Sequence, residues 1–309
     1  MSDRIGVVGL GAMGLVMLTR LRDDGATVTG FDVSDAARDR AADAGTQVAP
    51  SLEQLVADSD VVLLSLPTPA IVTGVVGQLV NAGARGLTVL DTSTIDPGTA
   101  AQAAQTLQGA GNSYADCPVL GRPGAVGKWT IPVGGDQVSF ERARQALAPL
   151  ARTVHVGAVG SAATIKILNN MMLATINAVT AEALVLAQAS GVDPGVFVDT
   201  VVDSGAASVS GLFKDVAPRA VDGDFAPTFS VNLMRKDNAL ALQLAESHAL
   251  ALPVASAAQL LNTMAVAAGH GDEDSVAVIK ALEKVAGISA RRHRADDDDR
   301  RAYDDDRPA

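Results

Sequence analysis

Apolar residues arrive in short blocks along the first half of the chain, with stretches of helical spacing between them. Ile5, Val7 and Val8 form the first block, and Met13, Val16, Met17 and Leu21 follow on one helix face. Val28 to Phe31 reads as a second strand, 34–44 as a helix and 46–48 as a short strand. Ser51 opens the next helix, with Gln54 at the capping-box position. The run Asp60 to Leu66, DVVLLSL, is apolar almost throughout, which predicts a parallel strand buried on both faces. Strands at 87–90, 112–118, 130–134 and 153–156 continue the alternation, with helices starting at Asp96-Pro97 and covering 139–150. The pattern predicts an α/β domain over residues 1–160, built on a doubly wound parallel sheet.

At Gly157 the pattern changes. From Ser161 to Ser190 there is no turn residue, and apolar side chains occur on every face of the projection, which predicts a long buried helix. Further helices are expected at 193–203, 207–221, 228–250, 254–269 and 273–286, separated by prolines and glycines. Residues 161–290 therefore read as an all-helical second domain. Residues 291–309, RRHRADDDDRRAYDDDRPA, are charge blocks with little to bury, and read as a solvated, disordered tail.

The first strand runs into Gly9-Leu10-Gly11-Ala12-Met13-Gly14, a GxGxxG turn opening a helix. Gly9 allows the tight turn, Gly11 admits a pyrophosphate to the backbone, and Gly14 allows close helix–sheet packing. The helix N-terminus offers unpaired N–H groups and a positive dipole end to phosphates. Asp32 closes the second strand, 18 residues after Gly14, where a carboxylate accepts hydrogen bonds from a ribose diol. A carboxylate there favours NAD over NADP, with NADP left open through Arg38. In a doubly wound sheet the turns at 9–14, 66–69 and 91–94 should line one crevice, outside the carboxyl ends of the strands. Thr94 is open at this stage between capping the following helix and touching the cofactor.

The bulk numbers narrow the classes. The net charge of −11 argues against nucleic acid or an anionic membrane as partner. A single cysteine, Cys117, excludes an internal disulfide and fits a reducing, cytoplasmic setting, where Cys117 is a small buried residue. No secretory signal precedes the first strand, and no apolar stretch is expected to serve as a membrane span once its polar residues are counted. The four histidines lack metal-ligand spacing, so no metal site is expected.

On the long helix, Lys166, Asn170 and Asn177 fall at i, i+4 and i+11, one polar stripe on an apolar element. Such groups are costly to bury unless paired, so the stripe is either a structural network or a site. As a site, Lys166 could face the nicotinamide, binding a carbonyl oxygen and giving its proton as hydride arrives, with the reverse in oxidation. Asn170 would orient the lysine or the substrate hydroxyl. Lys236-Asp237 reads equally as a surface charge pair or a cofactor contact.

Taken together, GLGAMG, LPTP (Leu66–Pro69), DTSTIDP (Asp91–Pro97), DCPVLG (Asp116–Gly121), GSAATIKILNN (Gly160–Asn170) and FSVNLMRKD (Phe229–Asp237) resemble the β-hydroxyacid dehydrogenase family over residues 4–288. The resemblance implies a Rossmann domain joined to a helical domain, and a homodimer or homotetramer pairing through the latter. It implies a catalytic Lys166 beside Asn170, and cofactor contacts at Gly9 to Gly14, Leu66, Pro67, Ile71 and Thr94. It further implies that Lys236 lies near nicotinamide and substrate, and that Gly121 and Asn170 help bind a small hydroxy acid. Arg122, which is not part of the family pattern, reads equally as a guanidinium that grips an acidic group of the substrate or as a solvated side chain on a mobile loop. The family commonly has DxPVSGG where this chain has DCPVLGR, so Leu120 replaces a carboxylate-binding serine and Arg122 a glycine. The expected reaction is hydride transfer between NAD and a 3-hydroxy acid. The alternatives are a glyoxylate or succinic semialdehyde reductase, an imine reductase, or a non-catalytic dinucleotide sensor.

Overall fold

The computed structural model describes residues 3–204 and 210–292 of the 309-residue chain. His293, the rest of the expected tail and the start of the helix expected at 207 lie outside the described residues. The chain forms two compact units, Met1–Asn169 and Asn170–Ala309. Each has its own core.

In the first unit eight strands form one sheet: β1 (Ile5–Val8), β2 (Val28–Phe31), β3 (Gln47–Val48), β4 (Val61–Leu64), β5 (Thr88–Asp91), β6 (Ser113–Asp116), β7 (Trp129–Gly134) and β8 (Ala151–Gly157). Their order is β3-β2-β1-β4-β5-β6-β7-β8. All neighbours are parallel except β6 and β7, which meet antiparallel at Asp116 and Gly134. The direction of winding reverses between β1 and β4, and a ligand crevice forms at such a switch point. β1, β4 and β5 are buried along their whole length, as their apolar runs require. Helices α1 (Ala12–Asp23), α2 (Asp35–Asp43), α3 (Leu52–Ala57), α4 (Pro69–Asn81), α5 (Pro97–Gly109) and α6 (Gln137–Ala146) connect the strands. Two apolar cores result, one around Met17, Leu18, Leu63 and Trp129, the other around Leu55, Leu64, Leu79 and Tyr114.

The predicted capping box at α3 is only half formed. Ser51 Oγ accepts the Gln54 N–H, but the Gln54 side chain turns forward to Asp58. The reason is local: an acid one turn on offers the amide an acceptor at 2.6 Å.

α7 (Ser161–Ala189) starts in the first unit and runs into the second, which adds α8 (Pro194–Ser204), α9 (Gly211–Asp222), α10 (Val231–Ser247), α11 (Pro253–Ala267) and α12 (Ile279–Ala286). Ala181 and Leu184 of α7 join a core with Val198, Val216, Leu261 and Ile279. Two expectations for α7 need correcting. It is not buried all round, since Leu168, Met172, Val179 and Leu186 are exposed. By length and composition alone it could also span a membrane, because Lys166 and Glu182 are its only charged residues. Its polar stripe and its core contacts are those of a helix packed within a protein. The tail expectation is also corrected at its first two residues. Arg291 and Arg292 are hydrogen-bonded to Glu283, Asp199 and Asp222, because these acids sit where the chain leaves α12.

Candidate active site

The glycine turn is shaped by three different constraints. Gly9 has φ +93°, and a side chain there would run into the Ser65 carbonyl. A Cβ at Gly14 would meet the Gly9 carbonyl, so the helix lies against the turn. Gly11 differs: nothing lies within 4 Å of where its Cβ would be. As N-cap of α1 it also makes no side-chain cap, so the first N–H groups of the helix face that open side. The turn thus fits a pyrophosphate, which needs both the space and the donors.

Asp32 lies beside this turn. Its Oδ2 accepts the Leu10 N–H at 2.7 Å and its Oδ1 the Ser34 N–H at 2.8 Å. Each oxygen keeps a further lone pair for a hydroxyl. Arg38 donates to the Asp32 carbonyl at 2.6 Å and pairs with Asp35, so its guanidinium is already engaged. The turns after β1, β4 and β5 are stitched together as expected. Ser65 N–H binds the Val8 carbonyl, Thr92 Oγ1 donates to the Leu64 carbonyl, and Ser93 Oγ accepts the Leu66 N–H at 2.9 Å. Asp96 caps α5, which removes the capping reading of Thr94. Thr68 caps α4 by accepting the Ile71 N–H, so Pro67 and Ile71 flank that cap.

The end of β6 holds the start of α7. Asp116, 1% exposed, accepts the Gly160 N–H on Oδ1 at 2.9 Å and the Ala163 N–H on Oδ2 at 2.8 Å. Three residues beyond Asp116, the Val119 carbonyl accepts Lys166 Nζ at 2.8 Å. Lys166 is half-buried, not sealed. The loop that follows is braced from below by Trp129. A Cβ at Gly121 would collide with the Trp129 ring, and the indole N–H donates to the Arg122 carbonyl at 2.7 Å. Leu120 bridges to Thr130. Deep in the sheet, burial raises Asp91 to about 6, although Ser93 and Tyr114 donate to it. Burial likewise pushes the Tyr114 hydroxyl and the Cys117 thiol well up.

In the second unit, Asn170 and Lys236 converge on Asp237. Asn170 Nδ2 donates to Asp237 Oδ2 at 2.5 Å, and Lys236 Nζ pairs with Oδ1 at 2.7 Å. Asp237 is 1% exposed, so the surface-pair reading of Lys236-Asp237 fails: the acid holds an amide inside the unit. Asn177, the third residue of the stripe, instead donates to Ser275 in the helical core. The stripe therefore divides between a lysine on the β6 loop, an amide on an acid, and a structural amide. The sequence reading gives Asp116 no role of its own and Asp237 only that of a pair with Lys236. Asp116 stands inside DCPVLG, where an acid at the end of a buried strand is the available signal. The Val119 carbonyl had none, being backbone.

Two family profiles match consecutive parts of the chain: the NAD binding domain of 6-phosphogluconate dehydrogenase over residues 4–160, and the NAD-binding domain of NADP-dependent 3-hydroxyisobutyrate dehydrogenase over 160–282. The chain is 33% identical over 294 residues to 2-(hydroxymethyl)glutarate dehydrogenase of Eubacterium barkeri, covering 93% of this chain and 97% of that one. It is 34% identical over 288 residues to L-threonate dehydrogenase of Cupriavidus necator, covering 91% and 96%. The chain belongs to the β-hydroxyacid dehydrogenase family. The solved structure of Mycobacterium tuberculosis 3-hydroxyisobutyrate dehydrogenase with L-serine matches with a TM-score of 0.81 at 32% identity, covering 91% of this chain and 99% of that one. As a member of this family the chain is an NAD(P)-dependent oxidoreductase that transfers hydride to and from small hydroxy acids.

Proposed function

We propose that this dehydrogenase oxidises a small 3-hydroxy acid to its semialdehyde or keto acid, prefers NAD, and uses Lys166 to move the hydroxyl proton. The observation that carries this reading is the Lys166 ammonium held 2.8 Å from the Val119 carbonyl, at the head of the loop whose sequence departs from the family pattern. An ammonium has three donors, so one can stay on Val119 while another meets a substrate oxygen. In oxidation the amine form of Lys166 takes the hydroxyl proton, and in reduction the ammonium returns it to the nascent alkoxide. When bound, the nicotinamide supplies the hydride acceptor or donor.

Asn170, its amide direction fixed by Asp237, orients the hydroxyl, and Lys236 adds a positive charge near the reacting end. Gly9 to Gly14, Leu66, Pro67, Ile71 and Thr94 hold the cofactor. Support for NAD comes from Asp32, whose carboxylate repels a 2′-phosphate, and from Arg38, which is tied to Asp35 and the Asp32 carbonyl. At the loop, Gly121 and Arg122 bind the acidic group of the substrate. With Leu120 in place of a hydroxyl, Arg122 is the charged donor that the DCPVLGR stretch carries, and a guanidinium grips a carboxylate bidentately. The exposed apolar residues of α7 support a homodimer or homotetramer, and the buried free thiol of Cys117 suits a reducing cytoplasm.

The test is a panel of 3-hydroxyisobutyrate, L-threonate, 2-(hydroxymethyl)glutarate and L-serine with NAD and NADP in parallel, repeated with Lys166→Ala. At least one acid should turn over, with the higher kcat/KM for NAD. Lys166→Ala should lower kcat by about 10² to 10⁴ while NADH binding persists. Near-normal turnover in the alanine variant would sink the lysine assignment.

A further inference from the structure

Asp116 takes no part in the chemistry just described, yet it is buried at the base of the site, where burial raises its carboxyl even though the Gly160 and Ala163 N–H groups favour its charged form. Its two oxygens receive the Gly160 and Ala163 N–H groups, which are donors that a helix start leaves without intrahelical partners. α7 begins after Gly160, at φ +92°, whose carbonyl accepts the Thr164 N–H of the first turn. The same short segment, Asp116 to Val119, then offers its last carbonyl to Lys166. Strand end, helix start and lysine thus close a ring of contacts. The carboxylate sets where the first turn of α7 sits, and the carbonyl three residues on receives the side chain from the second turn. Gly134 on β7 completes the fit, since a Cβ there would strike Asp116 Oδ1. The Asp116 charge acts on Asp91, Tyr114 and Cys117 in this part of the sheet and adds to the upward shift of each.

From this geometry we infer that Asp116 is the positioning residue of Lys166, pinning the N-terminus of α7 so that the ammonium stays on the Val119 carbonyl. The inference rests on the proposed role of Lys166, and its test reads the lysine directly. Asp116→Asn is nearly isosteric but replaces one acceptor oxygen with an N–H₂ group facing a backbone donor. Gly134→Ala keeps the carboxylate and displaces it, while also crowding the Ala158 carbonyl. Asn112→Ala serves as a stability control: its amide is buried between Leu87 N–H and the Ala84 carbonyl, apart from the site.

Each variant is treated with trace acetic anhydride, without cofactor, and acetylation at every lysine is read by mass spectrometry. Lys128, Lys214 and Lys284 act as internal standards. Acetylation of Lys166 should change several-fold in Asp116→Asn and Gly134→Ala but stay at the wild-type level in Asn112→Ala. In the same two variants kcat should fall about tenfold to a hundredfold, the scale expected when a reacting group is misplaced by an ångström, with the Kd for NADH unchanged. Wild-type labelling of Lys166 in a folded Asp116→Asn protein would overturn the inference. So would an equal change in Asn112→Ala, which would mark the effect as general loosening. Loss of turnover in Lys166→Ala alongside normal turnover in Asp116→Asn would leave the lysine catalytic and remove Asp116 from its support. If Lys166→Ala turned over normally, the lysine reading would fail while the labelling still reported on the positioning.

Discussion

Asp91 shows how far a single residue can be argued from its surroundings. It closes β5 inside the sheet, and burial raises its carboxyl from 3.8 to about 6 even with Ser93 and Tyr114 donating to it. A raised acid favours the native state only while protonated there. Its contribution is full below about pH 4 and is lost as pH rises through 6, and the two-unit shift makes the loss about 3 kcal/mol. Asp91→Asn keeps both partners, since the amide oxygen can accept the Ser93 N–H and the amide nitrogen can donate to the Tyr114 hydroxyl. Urea unfolding should show the variant more stable than wild type at pH 8, by up to about 3 kcal/mol, and by clearly less at pH 5. An equal gain at both values would mean that ionisation is not the cause. Loss of a charged-group contact worth about 1.5–3 kcal/mol should raise KM tenfold to over a hundredfold in Arg122→Ala, and unchanged kinetics would return the side chain to solvent. Residue roles were legible in the sequence where a side-chain type has one use, as in the glycine turn and Asp32. They were illegible where the partner is backbone, as for Lys166 and the Val119 carbonyl.

At the scale of elements, α7 carries the instructive error. Apolar residues all round the helix predict burial on all sides, and the core face is indeed filled by Ala174, Ala181 and Leu184. Yet Leu168, Met172, Val179 and Leu186 are exposed, at spacings of four, seven and seven residues. Periodicity reports that a face is apolar, not whether the same chain covers it. A repeat near 3.5 forms a continuous seam along a helix and suits another helix packed alongside. If the proposed homodimer or homotetramer pairs through this seam, replacing Val179 and Leu186 together by glutamate should leave helix content unchanged and bring the mass in light scattering down to that of one chain. Retention of the wild-type mass would place the subunit interface elsewhere. The strands, by contrast, were readable to within a few residues, because runs such as Val61–Leu64 are buried on both faces and tolerate no other pattern.

For the whole molecule, the division into an α/β half and a helical half was legible because strand-length blocks stop at Gly157 and helical spacing takes over. The end of the helical half was harder to place, since arginines next to an acidic run look solvated. Two of them are not. Arg291 makes a two-pronged pair with Glu283, at 2.6 and 3.0 Å, and Glu283 also accepts the Ala290 N–H. Arg292 joins Asp199 in the middle of α8 to Asp222 at the end of α9. At Asp199 the adjacent Arg292 guanidinium pulls the carboxyl below its usual range. Truncation should therefore have a sharp edge. Removing residues 293–309, whose composition offers little to bury, should leave the melting temperature and turnover at wild-type values. Moving the cut two residues earlier strands Glu283, only 9% exposed, without its arginine, at a cost of about 1–3 kcal/mol. Arg291→Ala in the full chain should reproduce most of that loss, and charge reversal as Glu283→Arg with Arg291→Glu should recover part of it. Equal melting temperatures for the two truncations would show that the helical unit closes without this pair.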